Sequence, residues 1–314
     1  MCKHLISALA VALLAAILGR GQIALAQTSA DEPAGVRAGF AEVREPLLYY
    51  EEKGNGPPLV LIHGGALGRR MWDEQLETFS KNYRVIRYDV RGFGKSATPT
   101  KPYSHVQDLH DLLRFLKIKQ AYIVGLSLGS MIAVDFALTY PEMTSALVLA
   151  GPAVNGFDWS PADEKQARKA IRLAVNGEND SAIDALMKDP YLVTAAQRPD
   201  LAPKMRAMAI DNLQSMLTSS ILERPLRPAA IKRLKEIHVP TLVIIGKRDV
   251  ADSQKNADLL KSHVPGCQRV DIEGSGHLVN LEKPSEFDAA VLAFLAEQKM
   301  NHKDHKGHEG DTKP

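Results

Sequence analysis

Residues 122–131 read Tyr-Ile-Val-Gly-Leu-Ser-Leu-Gly-Ser-Met. An apolar run typical of a buried strand leads into a Gly-x-Ser-x-Gly pattern, and the residues that follow favour a helix. Because Gly125 and Gly129 have no Cβ atoms, a strand and a helix can approach closely around a sharp turn. We therefore predict a strand, a strained turn with Ser127 at its apex, and a helix that begins at Leu128.

Short apolar runs recur on both sides of this stretch and alternate with segments of helical periodicity. We predict strands at residues 39–43, 47–52, 59–62, 83–88, 122–124, 146–150, 241–245 and 268–272. We predict helices at residues 72–80, 106–116, 128–140, 253–264 and 284–298. Such alternation is typical of an α/β fold, in which a mostly parallel, doubly wound sheet has helices on both faces.

The pattern changes between residues 151 and 228, which we call the cap. Strand signals fade there, amphipathic helical segments replace them at 163–175 and 180–187, and several prolines interrupt the run. The interval is short and discontinuous for a separately folding domain. We therefore predict a helical insertion within one domain that extends over residues 36–298.

Residues 1–26 have the features of a secretory signal. Lys3 precedes an apolar run at 5–18, and residues 24–26 form an Ala-x-Ala cleavage site. The run is short for a membrane span, although Arg20 before the cleavage site leaves an uncleaved membrane anchor as the alternative. We expect export to a periplasm or to the exterior, and contact with a membrane only if the leader is not cleaved.

The overall charge gives no reason to expect a nucleic-acid partner. The chain has 39 Lys and Arg residues against 37 Asp and Glu residues, a net charge of +2, and loss of the leader with Lys3 and Arg20 would reduce it to 0. Outside the leader Cys267 stands alone, so a mature chain could form no intramolecular disulfide. A small buried side chain is the favoured interpretation of Cys267, and a reactive thiol is the alternative.

The C-terminal residues 299–314 are polar and are predicted to form a disordered tail. Histidines recur there at every third position, at His302, His305 and His308. A metal-binding tail is therefore the alternative, but no carboxylate pattern accompanies the histidines. We predict no metal site and no cofactor.

Polar residues lie directly after several predicted strands, at His63, Asp89, Ser127, Asp249 and His277. In parallel α/β sheets the residues that carry the chemistry collect at the carboxyl ends of the strands. Ser127, Asp249 and His277 also follow one another in the order that the serine pattern requires. Without them that pattern would fit an ordinary glycine-rich turn, and His277 would be a loop histidine with a structural partner.

The chain resembles the α/β-hydrolase superfamily from residue 39 to residue 298. The matching stretches are residues 59–65, 89–96, 125–129, 239–249 and 276–284. A serine hydroxyl is a weak nucleophile and needs a base, and the imidazole of His277 can take its proton and return it to a leaving group. The resemblance implies that Ser127 is the nucleophile and that Asp249 orients His277, with Asp252 as the alternative acid.

The same resemblance implies an α/β-hydrolase type of sheet with a helical cap, and an oxyanion site at the turn after residue 62. Backbone N–H groups of Gly65 and Leu128 would bind the oxyanion. We interpret the side chains of His63, Asp89 and Arg91 as structural.

Serine at the apex differs from the aspartate that dehalogenases and epoxide hydrolases of this superfamily use. Leu126 and Leu278 stand where its carbon–carbon bond hydrolases usually have Asn and Trp. Residues 125–131 are similar to those of enol-lactone hydrolases, although Ser130 stands where those often have Gly. We therefore expect an exported serine hydrolase that cleaves a small carboxylic ester or lactone through an acyl-enzyme.

Two other functions fit the same residues. One is a cofactor-free perhydrolase or haloperoxidase-like activity, and the other is a binding protein with little turnover. The substrate would depend on the cap, where Phe157 and Trp159 either face the pocket or, as we favour, pack the cap on the sheet. The oligomeric state is left open.

Overall fold

The apolar runs around Ser127 form neighbouring strands of one sheet. The computed structural model describes residues 35–43, 47–161, 165–213 and 222–307. The strands are β1 Arg37–Ala41, β2 Leu48–Lys53, β3 Pro58–Ile62, β4 Arg84–Tyr88, β5 Ala121–Leu126, β6 Thr144–Ala150, β7 Thr241–Gly246 and β8 Gln268–Ile272. Their order across the sheet is β1-β2-β4-β3-β5-β6-β7-β8.

The predicted mostly parallel sheet is confirmed. β1 and β2 form an antiparallel hairpin and β2 is antiparallel to β4, whereas the remaining neighbours are parallel. Every residue of β5 is buried, as expected for a continuous apolar strand with both faces covered. Because β3, β5, β6, β7 and β8 run in one direction, their carboxyl ends share one edge of the sheet.

Helices cover both faces of the sheet. In chain order they are α1 Asp73–Phe79, α2 His105–Phe115, α3 Leu128–Thr139, α4 Lys165–Val175, α5 Asn179–Leu186, α6 Val193–Ala196, α7 Ala202–Asn212, α8 Ala251–His263, α9 Val279–Glu282 and α10 Pro284–Gly307. The α2 helix buries Leu109, Leu112 and Leu113, the face that the spacing predicts. The α3 helix is apolar almost all round because it lies between the sheet and α2.

The cap lies between β6 and β7, and its described residues include the helices α4 to α7. Met205 and Met208 of α7 are fully buried in the apolar cluster that includes Leu67 and Trp72. At the end of α7, Asn212 Oδ1 accepts a hydrogen bond of 2.6 Å from the backbone N–H of Gly94, in the loop after β4. The cap is thus anchored against loops at the carboxyl edge of the sheet.

The final helix is longer than the sequence pattern suggests. We expected it to end at residue 298 and residues 299–314 to form a disordered tail, but α10 continues to Gly307. Residues 299–306 contain neither Gly nor Pro, so no helix-breaking residue ends the helix earlier. The rest of that interval and the leader at 1–26 lie outside the described residues. Within the described ranges, no helix is both long and apolar enough to cross a membrane.

Candidate active site

Ser127 occupies a strained turn between β5 and α3. Its backbone has φ 54° and ψ −113°, a conformation that residues with a Cβ atom rarely adopt. A Cβ atom on Gly125 would collide with the backbone of Gly129, and one on Gly129 would collide with the backbone of Ile62. The two glycines therefore let strand and helix cross closely, while Ser127 itself remains half-buried.

A buried hydrogen bond joins His277 and Asp249. The imidazole Nδ1 lies 2.9 Å from Asp249 Oδ2 and 3.0 Å from Oδ1. Since a carboxylate only accepts, Nδ1 carries the proton and Nε2 keeps its lone pair. Among the described residues Nε2 has no hydrogen-bond partner. The pair therefore presents a basic nitrogen, which is what a general base requires.

Asp252, the alternative acid, makes different contacts. Its Oδ2 accepts a hydrogen bond of 2.6 Å from the backbone N–H of Ser160, and its Oδ1 accepts one of 2.9 Å from Lys255 Nζ. Asp252 thus connects the start of the cap to α8. The structure places Asp249, and not Asp252, against His277.

The end of β6 lies between the serine turn and the histidine loop. The backbone N–H of Ser127 donates to Ala150 O at 3.0 Å. The next residue, Gly151, has φ 44°, and a Cβ atom there would lie only 2.9 Å from His277 Nδ1. Ser127 and His277 are therefore close to the same strand end, although within the described part of the chain no hydrogen bond joins the serine to Nε2.

Gly65 and Leu128 present backbone N–H groups at the same edge. Neither N–H has a hydrogen-bond acceptor among the described residues. Leu128 is the first residue of α3, where N–H groups have no acceptor within the helix. Gly65 is exposed and has open space around its Cα, whereas the N–H of Gly64 donates to Met71 Sδ at 3.2 Å. Two such donors suit an oxyanion.

His63 is fully buried and orients the peptide group that contains the Gly65 N–H. Its Nε2 accepts a hydrogen bond of 2.9 Å from the Val90 N–H, so the proton is on Nδ1, which lies 2.7 Å from Gly64 O. The carbonyl of Gly64 and the N–H of Gly65 belong to one planar peptide, so fixing the first fixes the second. Burial lowers the pKa of His63, which favours this neutral form.

A family model described as the alpha/beta hydrolase fold matches residues 57–284, more than half of the chain. The chain belongs to the alpha/beta hydrolase fold family. The matched interval contains the turn with Gly64 and Gly65, the serine turn, the cap and the Asp249–His277 pair.

Relatives of this α/β hydrolase match it over most of its length. The 3-oxoadipate enol-lactonase 2 of Acinetobacter baylyi is 29% identical over 266 residues, which cover 79% of this chain and 92% of that protein. Carboxylesterase YbfK of Bacillus subtilis is 26% identical over 254 residues, which cover 77% of this chain and 81% of that protein. The crystal structure of the enol-lactonase from Burkholderia xenovorans LB400 superposes with a TM-score of 0.70 at 26% identity, covering 82% of this chain and 100% of that one.

The cap of this α/β hydrolase places aromatic rings beside His277. The ring of Tyr191 lies 4.8 Å from the imidazole, centroid to centroid, at an interplanar angle of 72°. The ring of Trp159 lies 6.5 Å from Tyr191, and that of Phe157 lies 5.0 Å from Trp159. All three side chains are half-buried. Phe157 and Trp159 therefore lie in a row of rings within the cap, and this row ends at the candidate base.

Three residues that were not predicted as site residues contact the serine turn or the histidine loop: Ser130, Tyr191 and Glu282. Ser130 Oγ donates to Ser127 O at 2.7 Å and accepts a hydrogen bond of 2.8 Å from the Ala153 N–H. The signal for Ser130 was its departure from the Gly of similar enol-lactone hydrolases. Tyr191 has no comparable signal, because it acts through a contact that only the folded chain creates. Glu282 lies within the matching stretch at residues 276–284, which marks its position but not its role.

Proposed function

We propose that this α/β hydrolase cleaves small carboxylic esters or lactones through an acyl-enzyme on Ser127. The proposal rests on the hydrogen bond between Asp249 and His277, which lies beside the end of β6. Ala150 at this strand end accepts a hydrogen bond from the strained Ser127 turn. A serine hydroxyl is a weak nucleophile by itself, and a base of this kind activates it. The enol-lactonase and carboxylesterase named among the relatives support this class of substrate.

The reaction follows from the roles of five groups. Ser127 Oγ attacks the carbonyl carbon while His277 Nε2 takes the hydroxyl proton, and Asp249 stabilises the resulting imidazolium. The carbonyl oxygen becomes an oxyanion that accepts hydrogen bonds from the N–H groups of Gly65 and Leu128. Collapse of this intermediate breaks the C–O bond to the leaving alcohol, which receives the proton from His277.

Hydrolysis of the acyl-enzyme by water completes the cycle. His277 takes a proton from water, whose oxygen attacks the acyl carbon, and the imidazolium then returns a proton to Ser127 Oγ as the carboxylic acid leaves. In a lactone the leaving alcohol remains attached to the acyl group, so a single hydroxy acid (or, from an enol lactone, a single oxo acid) is released at this step.

Replacement of the nucleophile tests the proposal. We expect Ser127→Ala to lower kcat for p-nitrophenyl acetate by at least about 10⁴-fold, because no other group can form the acyl-enzyme. Circular dichroism and thermal unfolding should match the wild type, since alanine keeps the Cβ atom and removes only the hydroxyl of a half-buried residue. A variant that retained the wild-type rate would contradict the assignment.

Two further measurements separate this function from the alternatives. Labelling of Ser127 by a fluorophosphonate probe without turnover of any ester or lactone would favour the binding protein. Peroxide-dependent halogenation in the presence of a carboxylic acid, faster than ester hydrolysis, would favour the perhydrolase. A panel of esters and lactones of graded acyl length would define the substrate.

We also propose that residues 1–26 direct export and that cleavage leaves Gln27 as the first residue. The basic start, the apolar run and the Ala-x-Ala site support this proposal. The mass of the N-terminal peptide of protein recovered from the periplasm or medium tests it. An intact leader in the membrane fraction would favour the anchor instead, and full-length protein confined to the cytoplasm would contradict export.

A further inference from the structure

A buried carboxylate holds the loop that carries His277. Glu282 lies at the end of α9 and is only 5% exposed. Its Oε2 accepts a hydrogen bond of 2.7 Å from the Gly276 N–H, and its Oε1 accepts one of 3.2 Å from the Leu278 N–H. These N–H groups belong to the residues immediately before and after His277. One carboxylate therefore binds the backbone on both sides of the candidate base.

The cap also contacts the loop that carries His277. A Cβ atom on Gly276 would lie 2.7 Å from Thr194 Oγ1, so the loop has no room to move toward the cap. Arg198 Nη1 donates a hydrogen bond of 2.6 Å to the backbone carbonyl of Glu282. The position of the loop is thus defined by the cap on one side and by the Glu282 carboxylate on the other.

We propose that Glu282 is a positioning residue for hydrolysis, whose carboxylate fixes both peptide groups beside His277 and so holds the imidazole against Asp249. The inference rests on the proposed function, in which His277 is the base. Two converging N–H donors need two acceptor oxygens, and a carboxylate supplies both. A glutamine would keep one acceptor and turn an NH₂ group toward the other N–H, which would release one of the two peptide groups.

The surrounding charges give this role a measurable signature. The titratable and charged groups around Glu282 and the loop are His277, Tyr191, Asp249, Arg198 and Lys283, the last paired with Glu286. Burial raises the pKa of Glu282, and the two N–H groups and the nearby His277 oppose that rise. In its ionised form Glu282 adds a second negative charge near the imidazolium that forms during catalysis. Loss of that charge favours the neutral imidazole.

The test compares Glu282→Gln with Glu286→Gln, a control at an exposed glutamate of α10 that pairs with Lys283. Both variants are assayed with p-nitrophenyl acetate across the pH range, together with thermal unfolding. We expect Glu282→Gln to lower kcat between about 10- and 100-fold through misplacement of the base, with KM changed less than about 2-fold. The acid limb of its kcat–pH profile should move to lower pH, whereas Glu286→Gln should match the wild type.

A second measurement does not need turnover. In a Ser127→Ala background, the proton NMR resonance of His277 Nδ1–H reports the hydrogen bond to Asp249, and we expect Glu282→Gln to shift or broaden it. If Ser127→Ala itself retained full activity, the proposed function would fail, but this resonance would still test Glu282.

Two results would overturn the inference. One is a Glu282→Gln variant with wild-type kcat, pH profile and resonance. The other is a loss of kcat that follows thermal stability alone, with the pH profile and the resonance unchanged. Should Glu282→Gln not fold, Glu282→Asp is measured in the same way: it keeps the charge but cannot reach both N–H groups, so the loss of kcat and the altered resonance are expected with an unmoved acid limb.

Discussion

The loops at the strand ends and the cap fix their side chains through different kinds of contact. Ser127 and His277 lie on loops whose backbones are in close contact with neighbouring backbone, so that glycines are needed where they cross. Phe157, Trp159 and Tyr191 of the cap are half-buried and contact one another ring to ring. Backbone contacts fix an atom within a fraction of an ångström, whereas ring contacts tolerate repacking. Changes at the strand ends should therefore affect the chemical step for every substrate, and changes in the cap should affect the choice of substrate.

The largest effect on kcat is expected from replacing one of the two carboxylates near the start of α8, and a small effect from replacing the other. We expect Asp249→Asn to lower kcat by about 10³- to 10⁴-fold, because the amide no longer holds the required tautomer of His277. Asp252→Asn should cost less than about 10-fold, since it weakens the contacts of Asp252 with Ser160 and Lys255 and leaves the Asp249–His277 hydrogen bond in place. The measurement is steady-state kinetics of both variants with one ester. Equal losses of kcat would contradict the assignment of Asp249, rather than Asp252, as the partner of His277.

A pair of glycines tests whether crowding or backbone conformation matters at the strand ends. Gly151 and Gly177 have φ of 44° and 80°, but a Cβ atom at Gly177 would meet no atom within 4 Å. We expect Gly151→Ala to lower kcat about 100-fold by displacing His277. Gly177→Ala, within the cap, should cost about 1 kcal/mol of stability through its backbone conformation alone and leave kcat unchanged. Similar kinetics for the two variants would show that the strand end tolerates movement.

The smallest expected effect belongs to the aromatic row of the cap. We expect Trp159→Ala to lower kcat/KM for phenyl acetate about 5-fold through lost aromatic contact and to leave methyl acetate hydrolysis unchanged. Phe115→Ala, at an exposed aromatic residue of α2, serves as the control. A uniform loss for both esters would mean that the cap acts on the chemical step after all.

The sheet and the location of the polar residues at its edge follow from local sequence pattern. Continuous apolar runs specify parallel strands, and strand ends specify where side chains such as Ser127 emerge. Strand boundaries depend on neighbours: β5 reaches Leu126, beyond the predicted end at residue 124, because β3 and β6 pair with it up to the turn. Such pairing is a property of the folded sheet and has no local signal.

The choice between Asp249 and Asp252 shows a second limit of sequence. Both carboxylates lie within the same few residues, and spacing alone does not tell which one turns toward a histidine 25 or more residues away. The contact of Tyr191 with His277 depends likewise on how distant segments meet. Glu282 binds N–H groups of Gly276 and Leu278, close to it in the chain, but the sequence does not show that its carboxylate turns back toward them. Side chains that act through other residues leave little pattern in the chain.

The bonds of Ser130 and Asp252 determine where the cap can move. Ser130 attaches Ala153 to the serine turn, and Asp252 attaches Ser160 to α8. The cap is thereby bonded near its start, at Ala153 and Ser160, to elements outside it. We expect any hinge of the cap to lie after Ser160, because movement before this residue would break one of the two hydrogen bonds. For the same reason, a chimera that exchanges caps between members of this family should join the foreign segment beyond this residue, where the transplant leaves the serine turn and its support intact.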